Sequence, residues 1–369
     1  MSLGELDGGQ PQLAYKPQLP QNRTMGIGIV GAGEIVVHAH LPAYRMAGFR
    51  VIGIYDANPA KAEAAAGGDP SITVFPTLEA MLKHPEVQIV DIAVPAKFQP
   101  GIAIQAAQSG RHLLCQKPLA ESYGAAKELV RACAECGIKA AVNQQMRWSP
   151  GIQASRSVVK NGWLGEPLQA SIQVNVRTYW ENWPWLTQTP TLEVMYHSIH
   201  YLDSIRYVLG LRPEYVYADG ARFPGQPYRG ETRTMIHIKF PGEARGLVHD
   251  NHNNRMPQDD WYATFRFEGT EGIVKGTNGA LYNYPEGRED TVGFYSGRLE
   301  LGSLYEPKLE GRWFPHAFMG TMGELMRAIE ENREPENSAA DNLITLQTVF
   351  AAYRSMAENR AVYLEEVDA

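Results

Sequence analysis

A short apolar run in the N-terminal third ends in Gly31-Ala32-Gly33-Glu34-Ile35-Val36, and a helix-like stretch follows. Glycines at this spacing have a physical use: the first allows a tight turn, and the second lets the backbone approach a pyrophosphate seated at the helix N-terminus. Val36 stands where a third glycine would govern helix-to-strand packing, so the helix is expected slightly farther from its sheet. The next apolar run ends in Asp56, about 20 residues on. A carboxylate there accepts hydrogen bonds from ribose hydroxyls and repels a 2'-phosphate, which predicts NAD rather than NADP. Gly26, Gly28 and Gly31 also satisfy a GxGxxG pattern, but they fall inside the strand and are set aside.

Four more residues could do chemistry on one helix, expected over residues 192–209: Glu193, Tyr196, His197 and His200. In an ideal helix Glu193, His197 and His200 share a face, and carboxylate and imidazole are suitable zinc ligands. The zinc helix signature, two histidines four apart with a glutamate between, is missing, so no metal is assigned. His249 and His252 could bring further nitrogens, but nothing in the sequence places them. Lys117 stands at a strand end before Pro118, which restricts it to extended geometry and aims it toward the edge where doubly wound sheets bind ligands. Around Trp180, Glu181, Asn182 and Trp183 an aromatic stretch could stack on a sugar and bond its hydroxyls; a self-association interface would use the same residues.

These groups need a scaffold, and the 369-residue chain is long enough for two domains with ample core. Residues 1–23, rich in Gly, Gln and Pro, read as a flexible arm. Residues 24–146 alternate short apolar runs with helix-like stretches, the pattern of a doubly wound parallel α/β sheet. Residues 147–369 shift to longer strands of period two, interrupted by helices and expected to form an α+β domain on a mainly antiparallel sheet. A net charge of −7 lacks the basic footprint of a nucleic-acid binder, and no apolar run is long enough to span a membrane. Three cysteines, Cys115, Cys133 and Cys136, are too few to staple this fold and fit a reducing, cytoplasmic compartment. The Cys133–Cys136 spacing lacks a second ligand pair and is read as structural.

Four segments together resemble the Gfo/Idh/MocA family (glucose-fructose oxidoreductase, inositol dehydrogenase, rhizopine catabolism). They are 28–36 with His40-Leu41-Pro42, 110–120, 162–167 and His200-Tyr201-Leu202-Asp203, and the resemblance runs from about residue 25 to 365. It implies a Rossmann domain followed by a domain with an open sheet, and NAD-dependent hydride transfer at a carbinol carbon of a sugar, cyclitol or related polyol. By the same resemblance Lys117 holds the substrate hydroxyl or shares in proton transfer, and His200 is the general acid/base. Gln116, Lys117, Val94 and Pro95 would border the cofactor, and the open sheet face would carry dimer or tetramer contacts. The chain departs from the family in three places. Gln116 replaces a glutamate, Tyr196 stands where an aspartate belongs, with His197 as an extra proton carrier, and Pro95-Ala96-Lys97-Phe98-Gln99 lacks the usual Asn and His. These departures keep a second reading open: a redox-neutral lyase or glycoside hydrolase working by transient oxidation and elimination, with no net NADH.

Overall fold

The computed structural model describes residues 6–7, 10–282 and 287–368. Residues 1–5, 8 and 9 of the expected arm lie outside them. The chain forms two compact units, one of residues 17–145 with 315–346, the other of residues up to 16 with 146–314 and 347–369.

The first unit holds six parallel strands in the order Thr73–Val74, Val51–Tyr55, Ile27–Val30, Ile89–Ile92, His112–Gln116 and Ala140–Asn143. The order reverses between Ile27–Val30 and Ile89–Ile92, which makes the topological switch point of a Rossmann sheet. Both central strands are buried at every residue, as expected where helices cover both faces. Gly28 lies in this layer because a Cβ there would come 2.8 Å from Met81 Sδ, so it serves packing and not phosphate. Local signals start the helices. Asn58 caps Pro59–Ala66, Thr77 caps Leu78–Lys83 and Ser122 caps Tyr123–Glu135, each accepting a backbone N–H of its first turn.

The C-terminal expectation changes at residue 315. The helix His316–Glu330, read from sequence as part of the second domain, belongs to the first unit, where Phe318 packs on His40 at 5.0 Å. Asn337 then exchanges hydrogen bonds with Val142, its carbonyl accepting the Val142 N–H at 2.8 Å and its Nδ2 donating to the Val142 carbonyl at 2.9 Å. The returning chain thereby covers the edge strand Ala140–Asn143, whose backbone groups would otherwise stay unpaired.

The second unit is an eight-stranded sheet ordered Thr291–Ser296, Gly272–Thr277, Tyr262–Gly269, Pro167–Asn175, Arg245–Asn251, Arg233–Lys239, Tyr215–Ala221 and Val362–Tyr363. Neighbours are antiparallel except Pro167–Asn175 with Arg245–Asn251, which run parallel. A parallel pair needs a long crossover, and this one contains the helix Ile199–Leu209. Alternate residues of Arg233–Lys239 and Arg245–Asn251 are buried, so the period-two pattern packs one face. On the other face Tyr217, Met235 and Tyr295 are exposed. The expected arm is held rather than flexible from residue 10 to residue 23. Ala14 N–H donates to Ser157 Oγ at 3.0 Å and Lys16 pairs with Glu310, while Asn22 N–H donates to Glu330. No described helix is long and apolar enough to cross a membrane.

Arg147 and Asp203 form a two-pronged ion pair in the second unit's interior, at 2.6 and 2.7 Å. Both are almost fully buried, and Arg147 also lies over the Tyr207 ring at 5.0 Å. Removing one member strands the other's charge. Asp203→Ala is therefore expected to lower stability by roughly 3–5 kcal/mol, read from urea unfolding midpoints. A loss below about 1 kcal/mol would show that the pair has no structural weight.

Candidate active site

Gly31 adopts φ +99°, a conformation that side chains disfavour, and a Cβ at this point would lie 2.3 Å from the Ala93 carbonyl. Its N–H donates to the Tyr55 carbonyl at 2.8 Å, so the turn is stitched to the neighbouring strand. Gly33 is different: a Cβ there would meet nothing within 4 Å. Its carbonyl accepts the N–H groups of Val36 and Val37, so the amides of Glu34 and Ile35 precede the first in-helix bond. Open space, first-turn amides and glycine are what a pyrophosphate requires, and these residues fit the cofactor expected from sequence. Asp56 Oδ2 accepts the Ala32 N–H at 2.8 Å and Oδ1 the Asn58 N–H at 2.8 Å, which holds the carboxylate beside the turn. Asn58, not Asp56, caps the following helix. Val94 borders the turn, 3.1 Å from where a Gly31 Cβ would stand, and Pro95 is half-buried next to it. Val36 is fully buried and opens a π-helical turn, Val36–His40, ahead of Pro42. Proline cannot donate to the carbonyl four residues back, and the wider turn takes up that interruption.

Lys117 is half-buried on the loop after His112–Gln116, and its peptide bond to Pro118 is cis. Gln99 clamps that loop. Its buried amide nitrogen donates to the carbonyls of Gln116 at 2.6 Å, Pro118 at 3.1 Å and Leu119 at 3.0 Å. Sequence reasoning found only lost polar groups in this segment, yet Gln99 supplies one. Gln116 Oε1 accepts from Asn143 Nδ2 at 2.9 Å, and that nitrogen lies 3.2 Å from His40 Nε2. His40 Nδ1 is 2.6 Å from Asp91 Oδ2, which also accepts the Tyr44 hydroxyl at 2.7 Å. A buried network thus anchors the side chain next to Lys117.

The second unit carries the histidine helix, which begins not as an α-helix but with the π turn Val194–Ser198 before Ile199–Leu209. Glu231 holds its start, accepting the N–H groups of Leu192 and Val194, and Tyr353 donates to the same carboxylate at 2.7 Å. Across this wider turn Glu193 and His197 come together, and His252 joins them, each with a ligand-capable atom within 4.8 Å of the others. His200, buried, meets Trp313 edge-on at 5.2 Å, and Tyr196 meets Trp185 edge-on at 5.6 Å.

Burial, with Asp250 and Glu231 nearby, holds the Glu193 carboxyl well above the usual carboxylate range. Burial also pushes Asp250 up to about 7. The two acids share the hydroxyls of Ser198 and Thr234. Trp180, expected to stack on a sugar, is fully buried instead, edge-on to His197 at 4.6 Å and donating Nε1–H to the His252 carbonyl. Glu181 is exposed and accepts from Tyr228, and Trp183 is half-buried. Cys115 and Cys133 are buried, and burial pushes Cys133 up to about 12, far from a reactive thiolate.

The open space at Gly33 gives a direct check. Gly33→Leu should fold with little change in melting temperature in the absence of cofactor, since a Cβ there meets nothing within 4 Å. The rise in melting temperature caused by saturating NAD should vanish, because the leucine takes the diphosphate's place. An undiminished NAD shift would mean the cofactor lies elsewhere.

Residues 25–144 match the model of an oxidoreductase family with an NAD-binding Rossmann fold, and residues 152–275 match the GFO/IDH/MocA C-terminal domain. The chain is 25% identical over 344 residues to a D-apiose dehydrogenase of Paraburkholderia graminis, spanning 89% of this chain and 87% of that one. It is 24% identical over 270 residues to a 2,7-anhydro-N-acetylneuraminate hydratase of Mediterraneibacter gnavus, spanning 70% and 67%. The fold superposes with TM-score 0.81 and 22% identity on an oxidoreductase of Agrobacterium radiobacter solved with NAD+, L-tartaric acid and magnesium, covering 93% and 99% of the two chains. With both halves matched in order, and with the glycine turn and the strand-end lysine in the places the resemblance required, the chain belongs to the GFO/IDH/MocA family of oxidoreductases.

Proposed function

We propose that this protein is an NAD-dependent dehydrogenase or reductase acting on a CH–OH carbon of a sugar, cyclitol or related polyol. The observation that carries the reading is the glycine turn, open at Gly33 and flanked by the Asp56 carboxylate, in the same unit as the clamped Lys117 loop. NAD, when bound, supplies the hydride acceptor. Glu34 and Ile35 offer first-turn amides to its diphosphate, and Asp56 favours a free ribose over a 2'-phosphate. Val94, Pro95, Gln116 and Lys117 border it.

Lys117 positions the substrate hydroxyl, and His200 takes up or returns its proton, with the Tyr196 phenol as a second hydrogen-bonding group. His197, the extra proton carrier of the sequence reading, stacks on His252 and is assigned to that cluster instead. Glu181 and Trp183 remain the sugar-facing candidates of the aromatic segment, now without Trp180. The exposed face bearing Tyr217, Met235 and Tyr295 suits self-association into a dimer or tetramer. The hydratase among the relatives favours the second, redox-neutral reading in one respect, since Gln116 and Tyr196 both depart from the pattern expected of a simple dehydrogenase.

The deciding experiment incubates the protein with NAD or NADP and a panel of sugars, cyclitols and sugar acids, following absorbance at 340 nm alongside product analysis. Net NADH with NAD preferred is the expected result. Product without net NADH would replace it with the redox-neutral cycle. Lys117→Ala and His200→Ala should each cut kcat/KM on the order of 10²-fold or more, and the double variant should be little slower than the worse single one. Two singles at wild-type rates would remove both residues from the reaction.

Gln99→Leu tests the clamp. It should lower kcat on the order of 10²-fold through misplacement of Lys117, with NAD affinity unchanged. Equal losses in kcat and NAD affinity would mean general loosening instead.

A further inference from the structure

We propose that Glu193, His197 and His252 form a binding site for one divalent transition-metal ion of the zinc class, with a fourth position open to water or a ligand oxygen. A tetrahedral zinc lies about 2.0–2.2 Å from nitrogen and oxygen ligands, which sets its ligand atoms roughly 3.3 Å apart. Here His252 Nε2 is 3.9 Å from Glu193 Oε1, and the three ligand-capable atoms all fall within 4.8 Å. Closing the set on an ion takes a movement of about an ångström, on the order of a side-chain adjustment.

The surroundings prepare these groups for the task. The His197 and His252 rings stack at 4.2 Å and 18°, which holds the two imidazoles side by side. His252 Nδ1 lies 2.9 Å from Thr178 Oγ1; with the ring proton donated there, the Nε2 lone pair accepts the Tyr201 hydroxyl at 2.9 Å, a bond that an ion at Nε2 would replace. An outer partner of this kind fixes tautomer and ring orientation in metal sites. Glu193 is held by the Ser198 N–H at 3.0 Å and by its hydroxyl.

Charge is a second, separate argument. Asp250 approaches Glu193 through the two hydroxyls they share, so two carboxylates converge in the interior, and a divalent cation would neutralise both. Glu193 and His252 are fully buried while His197 is half-buried, which leaves an approach on the His197 side. Two imidazoles and one carboxylate suit zinc or cobalt and are poor for magnesium, which demands oxygen. All of these residues lie in the second unit, Glu193 and His197 on the same helical segment as Tyr196 and His200, and His252 at a strand end.

The test uses the full-length, tag-free protein, stripped with chelator, incubated with Zn²⁺ or Co²⁺ and desalted. About one zinc per chain by elemental analysis is expected, with visible absorption of the cobalt form and no competition from excess Mg²⁺. His197→Gln and Glu193→Gln should each retain less than about a tenth of a zinc. Thr178→Val, which removes only the outer hydrogen bond, should weaken zinc binding roughly 10–100-fold. Circular dichroism and melting of the stripped variants, compared with the stripped wild type, show that the fold is kept. Wild-type protein with less than about a tenth of a zinc, or His197→Gln holding as much as wild type, overturns the proposal.

Discussion

Carboxylates taken out of water cost several kcal/mol each unless something inside the protein replaces the solvent, and this chain buries several of them. Asp203 is met by a full guanidinium, Asp91 by His40 and the Tyr44 phenol, and Glu324 by Arg333 at 2.5 and 3.0 Å. Glu231 is met by backbone amides, and in satisfying them it fixes where the histidine helix begins. Asp290 accepts the N–H groups of Gly151 and Gly279, yet burial still pushes it up to about 6. At Glu193 and Asp250 the compensation comes from two shared hydroxyls and the single backbone N–H of Ser198, and there burial holds both acids above their ordinary range.

Each unit also places a π turn directly after a functional segment: Val36–His40 after the glycine turn and Val194–Ser198 after the aromatic stretch. Such turns cost hydrogen-bond quality and recur at functional sites. Each contains a histidine that enters a buried cluster. In the first unit it is His40, which links the Asp91 charge to the Lys117 loop through Asn143 and Gln116. In the second it is His197, which stacks on His252.

What could be read from sequence was what depends on neighbours along the chain. The strand, glycine turn and helix at residues 27–47, Asp56 on the adjoining strand, Lys117 at a strand end and the period-two strands after residue 167 are all local patterns with local causes. The missed features come from long-range pairing. His252 reaches His197 because Arg245–Asn251 lies parallel to Pro167–Asn175, a register no spacing reveals. Gln99 looked like a lost contact because its three acceptors are carbonyls, which carry no residue identity. Trp180 looked like a sugar platform because an aromatic run in a polar setting reads alike whether its rings face solvent or core.

The nucleotide unit is not contiguous in the chain, since its edge strand Ala140–Asn143 is completed by residues 337–338 and its helix His316–Glu330 arrives after the whole second sheet but its last short strand. During synthesis the first 145 residues therefore emerge with an apolar flank and an open strand edge. They wait for about 190 more residues, roughly ten to forty seconds at ordinary elongation rates, before the missing pieces are made. Completing the first unit before the second begins is closed to this topology, and until residues 337–338 arrive the strand edge is unpaired.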